Sequence, residues 1–136
     1  TLSGGAYSNY PKTDMGWDIS PKEFIDLIQM IRDKYTNLPI YITENGSAWV
    51  DVLEEGRIHD KGRTDYLVAH LQAVSKMNEM GLNVAGYYCW SLMDNFEWGH
   101  GYKQRFGIVY VDFETQERIK KDSYHKYNEI IKTRSI

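Results

Sequence analysis

Pro39-Ile40-Tyr41-Ile42-Thr43-Glu44-Asn45-Gly46-Ser47 is the stretch on which the reading of this chain turns. Residues 39–43 form a short run rich in β-branched and aromatic residues, the signature of a buried strand. Asn45-Gly46 is a turn-forming dipeptide that ends it. A carboxylate, Glu44, therefore stands where a strand stops and a loop begins. In parallel α/β folds this is the edge at which ligands and reacting groups gather. A Glu there adds little to packing and is costly to bury without a partner. Glu44 is thus either a functional group or an exposed strand-end residue.

The flanking sequence supplies the rest of a parallel unit. Upstream, Ser20-Pro21-Lys22-Glu23 predicts a helix start, with Ser20 as N-cap, Pro21 at the first helical position and Glu23 closing a capping box. Phe24, Leu27, Ile28, Ile31 and Tyr35 then recur at helical spacing over residues 21–35, and Asn37-Leu38-Pro39 breaks the helix. Downstream, residues 45–59 read as a loop carrying the acids Asp51, Glu54 and Glu55. A second helix is expected from Asp60 or Lys61 to Met80. Tyr66, Leu67, His70, Leu71, Val74, Met77 and Met80 make its buried face, and Gly81 ends it. Asn83 to Leu92 is nearly continuous in apolar character, as suits a parallel strand covered on both faces. Strand, helix, strand is the building unit of a parallel sheet, so the fold class is α/β. The loop from Met93 to Arg105 precedes a short strand at 106–112, hairpinned with 117–120, and a last helix at about 122–133. Residues 1–19, rich in Gly, Ser, Tyr and Asn, read as loop.

The 136 residues have the length of one domain, and 42% are hydrophobic, enough for a real core. A net charge of −3, with Lys and Arg scattered, argues against a nucleic-acid or membrane-surface partner. The single cysteine, Cys89, allows no intramolecular disulfide. It reads as a small buried apolar residue in a strand and points to a reducing, cytosolic setting. No charged-then-apolar leader and no membrane-spanning run is visible. His59, His70, His100 and His125 show no ligand spacing, so no metal or cofactor is expected, and His70 reads as a core histidine. Ser3-Gly4-Gly5 is not followed by the strand–turn–helix of a phosphate loop, and Ser91 lacks the Gly-flanked elbow of a nucleophilic serine.

If the two strands are parallel neighbours, Glu44 and the loop after Trp90 emerge on one edge of the sheet. That edge collects the carboxylates Glu44 and Glu97, with Asp94 beside them, Trp90 and Trp98, His100, and the amides Asn45 and Asn95. Carboxylates serve as acid, base or nucleophile, and aromatic rings stack on the apolar faces of sugars, so a polyhydroxylated substrate fits. On the residues alone Glu97 is the acid partner of Glu44. The plainer alternative is a solvated acidic loop with two Trp residues plugging the sheet edge.

Ile42-Thr43-Glu44-Asn45-Gly46 closely resembles the nucleophile motif of family 1 glycoside hydrolases, the β-glucosidase and 6-phospho-β-glycosidase family. Further segments resemble the same family in the same order. They include Thr13-Asp14-Met15-Gly16-Trp17, Arg63 with Tyr66-Leu67 and His70-Leu71, Trp90-Ser91-Leu92-Met93-Asp94-Asn95-Phe96-Glu97-Trp98, Arg105 to Asp112, and Arg118 with Lys120 to Ser123. The resemblance spans residue 13 to the C-terminus. It implies that Glu44 is the nucleophile of a retaining β-glucosidase and that Glu97 accepts hydrogen bonds from sugar hydroxyls, replacing the acid role given to it above. By the same resemblance Trp98 helps to bind that sugar, Trp90 forms the floor beneath it, and Phe106 lines the pocket. Glu97-Trp98 looks like the branch acting on unphosphorylated sugars, the phospho-specific branch typically carrying Ser at the Glu position.

The family is a single (β/α)₈ barrel, which needs about 250 residues. Its acid/base Glu lies in a Thr-x-Asn-Glu-Pro motif that this sequence lacks. The resemblance therefore implies the last quarter of a TIM barrel over residues 1–136, without separate domains: helix 6, strand 7, helix 7, strand 8 and helix 8. Its expected partners are a β-glucoside or oligosaccharide substrate and an N-terminal part of the same barrel, present as a second chain. A non-catalytic barrel fragment and a 6-phospho-β-glucosidase are the alternatives.

Overall fold

In the computed structural model, residues 8–136 are described. Ser3-Gly4-Gly5, and the loop reading of residues 1–7, lie outside the described residues. Helix α1 spans Pro21–Lys34, with proline at its start as expected. The capping box is absent: Ser20 makes no side-chain cap bond, and Glu23 instead accepts the hydroxyl hydrogen bond of Tyr10 from the preceding loop. A tertiary partner has displaced the local one. Phe24, Ile25, Ile28 and Ile31 of α1 join the main core.

Strand β1 runs Ile40–Asn45, so it continues past Thr43 and carries Glu44 within the strand. The expected loop 45–59 contains a two-residue hairpin, β2 (Leu53–Glu54) against β3 (Arg57–Ile58). Gly56, at φ +77, makes its turn. Helix α2 spans Lys61–Glu79. It ends in a Schellman motif: the Leu82 N–H donates to the Met77 carbonyl at 2.9 Å and the Gly81 N–H to the Asn78 carbonyl at 3.0 Å, with Gly81 at φ +77. Met77 and Leu82 meet in the core. Met80, expected on the buried face, is exposed, because the helix has already ended and the residue sits in the cap.

Strand β4 (Val84–Cys89) pairs parallel with β1, as the strand–helix–strand order requires. The core between this sheet and helices α1 and α2 contains Ile28, Ala73, Met77, Leu82 and Val84, with Ile40 and Ile42 packed against it. Each fully buried aliphatic side chain contributes roughly 1.5–3 kcal/mol. Strand β5 (Val109–Val111) is shorter than 106–112 and pairs antiparallel with β6 (Arg118–Lys120). The residues before it are engaged elsewhere: the Ser91 N–H donates to the Phe106 carbonyl at 3.3 Å, and that of Ile108 to the Ser91 carbonyl at 2.9 Å. Helix α3 (Asp122–Thr133) packs on α2 through Leu67, Leu71 and Ile130, with Tyr87, Cys89 and Tyr127 against them. Cys89 is half-buried in β4, where burial pushes its thiol up to about 11. Among the described residues no helix is long and apolar enough to cross a membrane.

Candidate active site

The β1–β4 pairing brings the two segments singled out in the sequence to one edge. Trp90 follows β4, and its N–H donates to the Asn45 carbonyl at 2.9 Å. The Trp90–Ser91 peptide bond is cis. Gly46 faces it so closely that a Cβ there would lie 1.5 Å from the Trp90 carbonyl oxygen. Only glycine lets the turn after Glu44 pack against the Trp90 backbone. Beyond Trp90 the chain is braced locally: Ser91 Oγ donates to the Met93 carbonyl at 2.8 Å, and Asn95 Nδ2 donates to Ser91 Oγ at 2.9 Å. A 3₁₀ turn, Trp98–His100, then presents the indole of Trp98. Its base is closed by Glu97 N–H to the Gly101 carbonyl at 2.7 Å and Gly101 N–H to the Trp98 carbonyl at 3.1 Å. Trp98 sits at φ 44, a left-handed conformation that costs a non-glycine residue on the order of 1–3 kcal/mol.

The result is an open cleft of about 380 Å³ lined by Glu44, Trp90, Glu97, Trp98 and Phe106, the five residues to which the resemblance gives roles. Trp17, Asn45, Gly46 and Tyr66 complete its wall. Trp98 is 83% exposed and Trp90 38%. Exposed indoles beside carboxylates suit a polar ligand with apolar ring faces. Phe106 is buried at 2%, its ring 5.8 Å from that of Trp17.

Three expectations for this edge need correction. Asp94 is not in the cleft: it is buried beneath it, where Oδ1 accepts from Gly107 N–H and Lys121 Nζ, each at 2.9 Å. Its Oδ2 accepts from Arg105 Nη1 at 2.6 Å and Val111 N–H at 3.3 Å. Asn95 spends its amide on Ser91 and Met93. His100 is exposed at the end of the 3₁₀ turn and does not line the cleft.

Asp94 belongs to an ion network that joins the loop after β1 to the loop after β4. Lys121, 0% exposed, bridges Asp94 and Asp51. Arg63 pairs with Asp51 at 3.0 Å and with Asp60, and its Nη2 donates to the Arg105 carbonyl at 2.7 Å. Asp60 in turn accepts from the N–H (2.9 Å) and hydroxyl (2.5 Å) of Ser123. Three acids, Asp51, Asp60 and Asp94, balance three bases, Arg63, Arg105 and Lys121. Burial works against the Arg63 charge, but Asp51 and Asp60 outweigh it and hold the guanidinium above its ordinary value. Burial, and then Arg63 nearby, push the Lys121 ammonium below its ordinary value despite Asp94 and Asp51.

Trp17 and Tyr66 are cleft residues that sequence reasoning does not select. Trp17 lies in an irregular segment whose Thr13–Trp17 turn, closed by Thr13 N–H to the Trp17 carbonyl at 2.9 Å, has no periodicity to read. Tyr66 falls by its spacing on the core face of α2, and it is half-buried there.

The sequence matches the model of glycosyl hydrolase family 1 over residues 4–136. It is 47% identical over 129 residues to a 1,4-beta-D-glucan glucohydrolase of Thermotoga neapolitana, a match covering 94% of this chain and 29% of that protein. A 6-phospho-beta-galactosidase of Leptotrichia buccalis is 42% identical, over 96% of this chain and 28% of its own length. Among solved structures, the GH1 beta-glucosidase of Exiguobacterium antarcticum B7 superposes with a TM-score of 0.93 at 64% identity, covering 94% of this chain and 29% of that one. The chain thus spans under a third of the relatives it matches. Their fold is a (β/α)₈ barrel, and this chain matches a part of it. This chain belongs to glycosyl hydrolase family 1.

Proposed function

We propose that this chain forms the nucleophile-bearing part of a retaining β-glucosidase. The observation that carries the reading is convergence: Glu44, Trp90, Glu97, Trp98 and Phe106 meet around one cleft. Glu44 attacks the anomeric carbon of a β-glucoside as the aglycone oxygen leaves, giving a covalent glycosyl ester that water then hydrolyses. A second carboxyl, about 5–5.5 Å away and protonated, must donate to that leaving oxygen. The Thr-x-Asn-Glu-Pro element that carries it in the family is not in this sequence, so an N-terminal part of the same barrel supplies it. In barrel terms α1 is helix 6, β1 strand 7, α2 helix 7, β4 strand 8 and α3 helix 8. Glu97 accepts hydrogen bonds from sugar hydroxyls, Trp98 helps to bind the same sugar, Trp90 forms the floor beneath it, and Phe106 lines the pocket. The lone cysteine supports a reducing, cytosolic setting.

The Leptotrichia relative favours one competing reading, a phosphorylated sugar. Glu97 counts against it: it lines the cleft at the position where the phospho-specific branch typically carries Ser, and its carboxylate would repel a phosphate dianion. The test is the full-length barrel, this chain together with its N-terminal part, with Glu44→Gln, assayed on an aryl β-glucoside and its 6-phosphate. Turnover of the unphosphorylated substrate, abolished by the substitution, is the expected result. Retained turnover refutes the nucleophile assignment, and exclusive use of the phosphate refutes the branch.

A further inference from the structure

The side-chain alternation of β1 breaks at Glu44, and a hydrogen-bonded clamp holds the break. In a regular strand, residues two apart share a face, so Ile40, Ile42 and Glu44 would all point toward the helices. Ile40 and Ile42 do pack on the α1–α2 core. Glu44 does not: exposure along β1 runs half-buried, exposed, half-buried, exposed, exposed, half-buried, so Thr43 and Glu44 are exposed in succession and Asn45 turns back. The register shows why. A first shift, between the Ile40–Val84 and Tyr41–Gly86 pairs, puts its extra residue on β4; beyond it Ile42 pairs with Tyr87 and Asn45 with Cys89, so three steps on β1 face two on β4. One extra residue re-aims the side chains beyond it, the usual work of a bulge.

Asn45 is held on the helix side from two directions. Its Oδ1 accepts from the Tyr87 hydroxyl at 2.8 Å, and its Nδ2 donates to the Tyr66 hydroxyl at 3.3 Å. Both tyrosines are themselves fixed. Tyr66 stacks on His70 with ring centroids 3.9 Å apart, and His70 Nδ1 lies 2.8 Å from the Tyr66 carbonyl oxygen. Tyr87 packs on the α2–α3 core, and its carbonyl accepts from the Tyr127 hydroxyl at 3.4 Å. We propose that Tyr87 and Tyr66, acting through Asn45, are positioning residues that keep the β1 register shift and so hold the Glu44 carboxylate in the cleft. Loss of either hydroxyl frees Asn45 to swing, and the regular alternation then draws Glu44 away from the sugar. This rests on Glu44 being the nucleophile.

The test uses 2-deoxy-2-fluoro-β-D-glucosyl fluoride on the full-length protein, with mass spectrometry locating the label. The saturating labelling rate reports placement of Glu44, and the half-saturating concentration reports sugar binding. Tyr87→Phe and Tyr66→Phe are each expected to slow labelling by on the order of 10-fold or more, because misplacement of a reacting group by about 1 Å can cost up to 100-fold. Half-saturation is expected to stay within about twofold in Tyr87→Phe, since Tyr87 does not line the cleft. Tyr124→Phe removes a hydroxyl from α3 that bonds none of Asn45, Tyr66 and Tyr87, and wild-type kinetics are expected. Labelling at the wild-type rate in Tyr87→Phe, or an equal fall in Tyr124→Phe, overturns the proposal. If Tyr87→Phe does not fold, Tyr66→Phe decides alone. A wild-type protein that takes no label at Glu44 refutes the nucleophile assignment instead, before any variant is compared.

Discussion

Asp94→Asn is the sharpest probe of what supports the cleft, because it changes one atom and no volume. Each carboxylate oxygen of Asp94 takes two donors: Gly107 N–H and Lys121 on Oδ1, Arg105 and Val111 N–H on Oδ2. An amide has one acceptor and one donor end. Either way it is placed, one cation and one backbone N–H lose their acceptor and face an NH₂ group. A hydrogen bond to a charged group is worth about 1.5–3 kcal/mol, and a buried unsatisfied N–H costs about 1–3 kcal/mol. The expected loss is therefore about 2.5–6 kcal/mol, overlapping the roughly 3–5 kcal/mol for breaking a buried ion pair. At a urea slope of about 3 kcal/mol/M, the unfolding midpoint of the full-length protein should fall by about 1–2 M, followed by tryptophan fluorescence. Chymotrypsin should also cut newly at exposed Phe96 or Tyr102, whose loop begins at Asp94. A midpoint within about 0.3 M of wild type, with no new cut, would show that the network does not brace the loop.

Gly46→Ala puts a methyl group 1.5 Å from the Trp90 carbonyl oxygen, so the turn after Glu44 must move; turnover and Trp90 fluorescence should both change, and wild-type values in both would contradict the packing. Burial depresses the His70 pKa in the fold. The unfolded chain then binds the proton more readily, so this stability is complete above about pH 6.5 and lost as pH falls below it; melting at pH 7.5 and 5.5 should show a smaller acid-side drop in His70→Asn. Cys89, its thiol pushed up to about 11, should resist iodoacetamide at pH 8 until urea unfolds the protein; rapid native alkylation would refute that burial. If the proposed sugar-binding role holds, Trp98→Ala should raise KM for aryl glucosides more than it lowers kcat, because its indole is 83% exposed at the cleft.

The elements that sequence disclosed are those governed by periodicity. α1 and α2 are legible in apolar spacing, β1 and β4 in short apolar runs, and their parallel pairing in the intervening helix. Glu44 and the Trp90–Trp98 block stand out because a strand end and a dense loop have few structural uses for such residues. The failures share a cause, which is competition from distant partners. Glu23 left its cap for Tyr10, residues 106–108 gave their backbone bonds to the 91–94 loop, and Asp94 went to Lys121. The β1 register shift is equally silent in sequence, since Thr43-Glu44-Asn45 carries no local sign of an extra residue.

The ion network has a consequence for how the cleft comes into being. Lys121 meets Asp51 across 70 positions, and Ser123 meets Asp60 across 63. Contacts so distant carry a large loop-closure cost and form late. The loop that leads away from Glu44 thus waits for residues at the far end of the chain before its buried Asp51 has a cation to face. A polypeptide halted before residue 121 would hold the strand of Glu44 with its downstream loop unanchored. During synthesis, the cleft is braced only once α3 has left the ribosome.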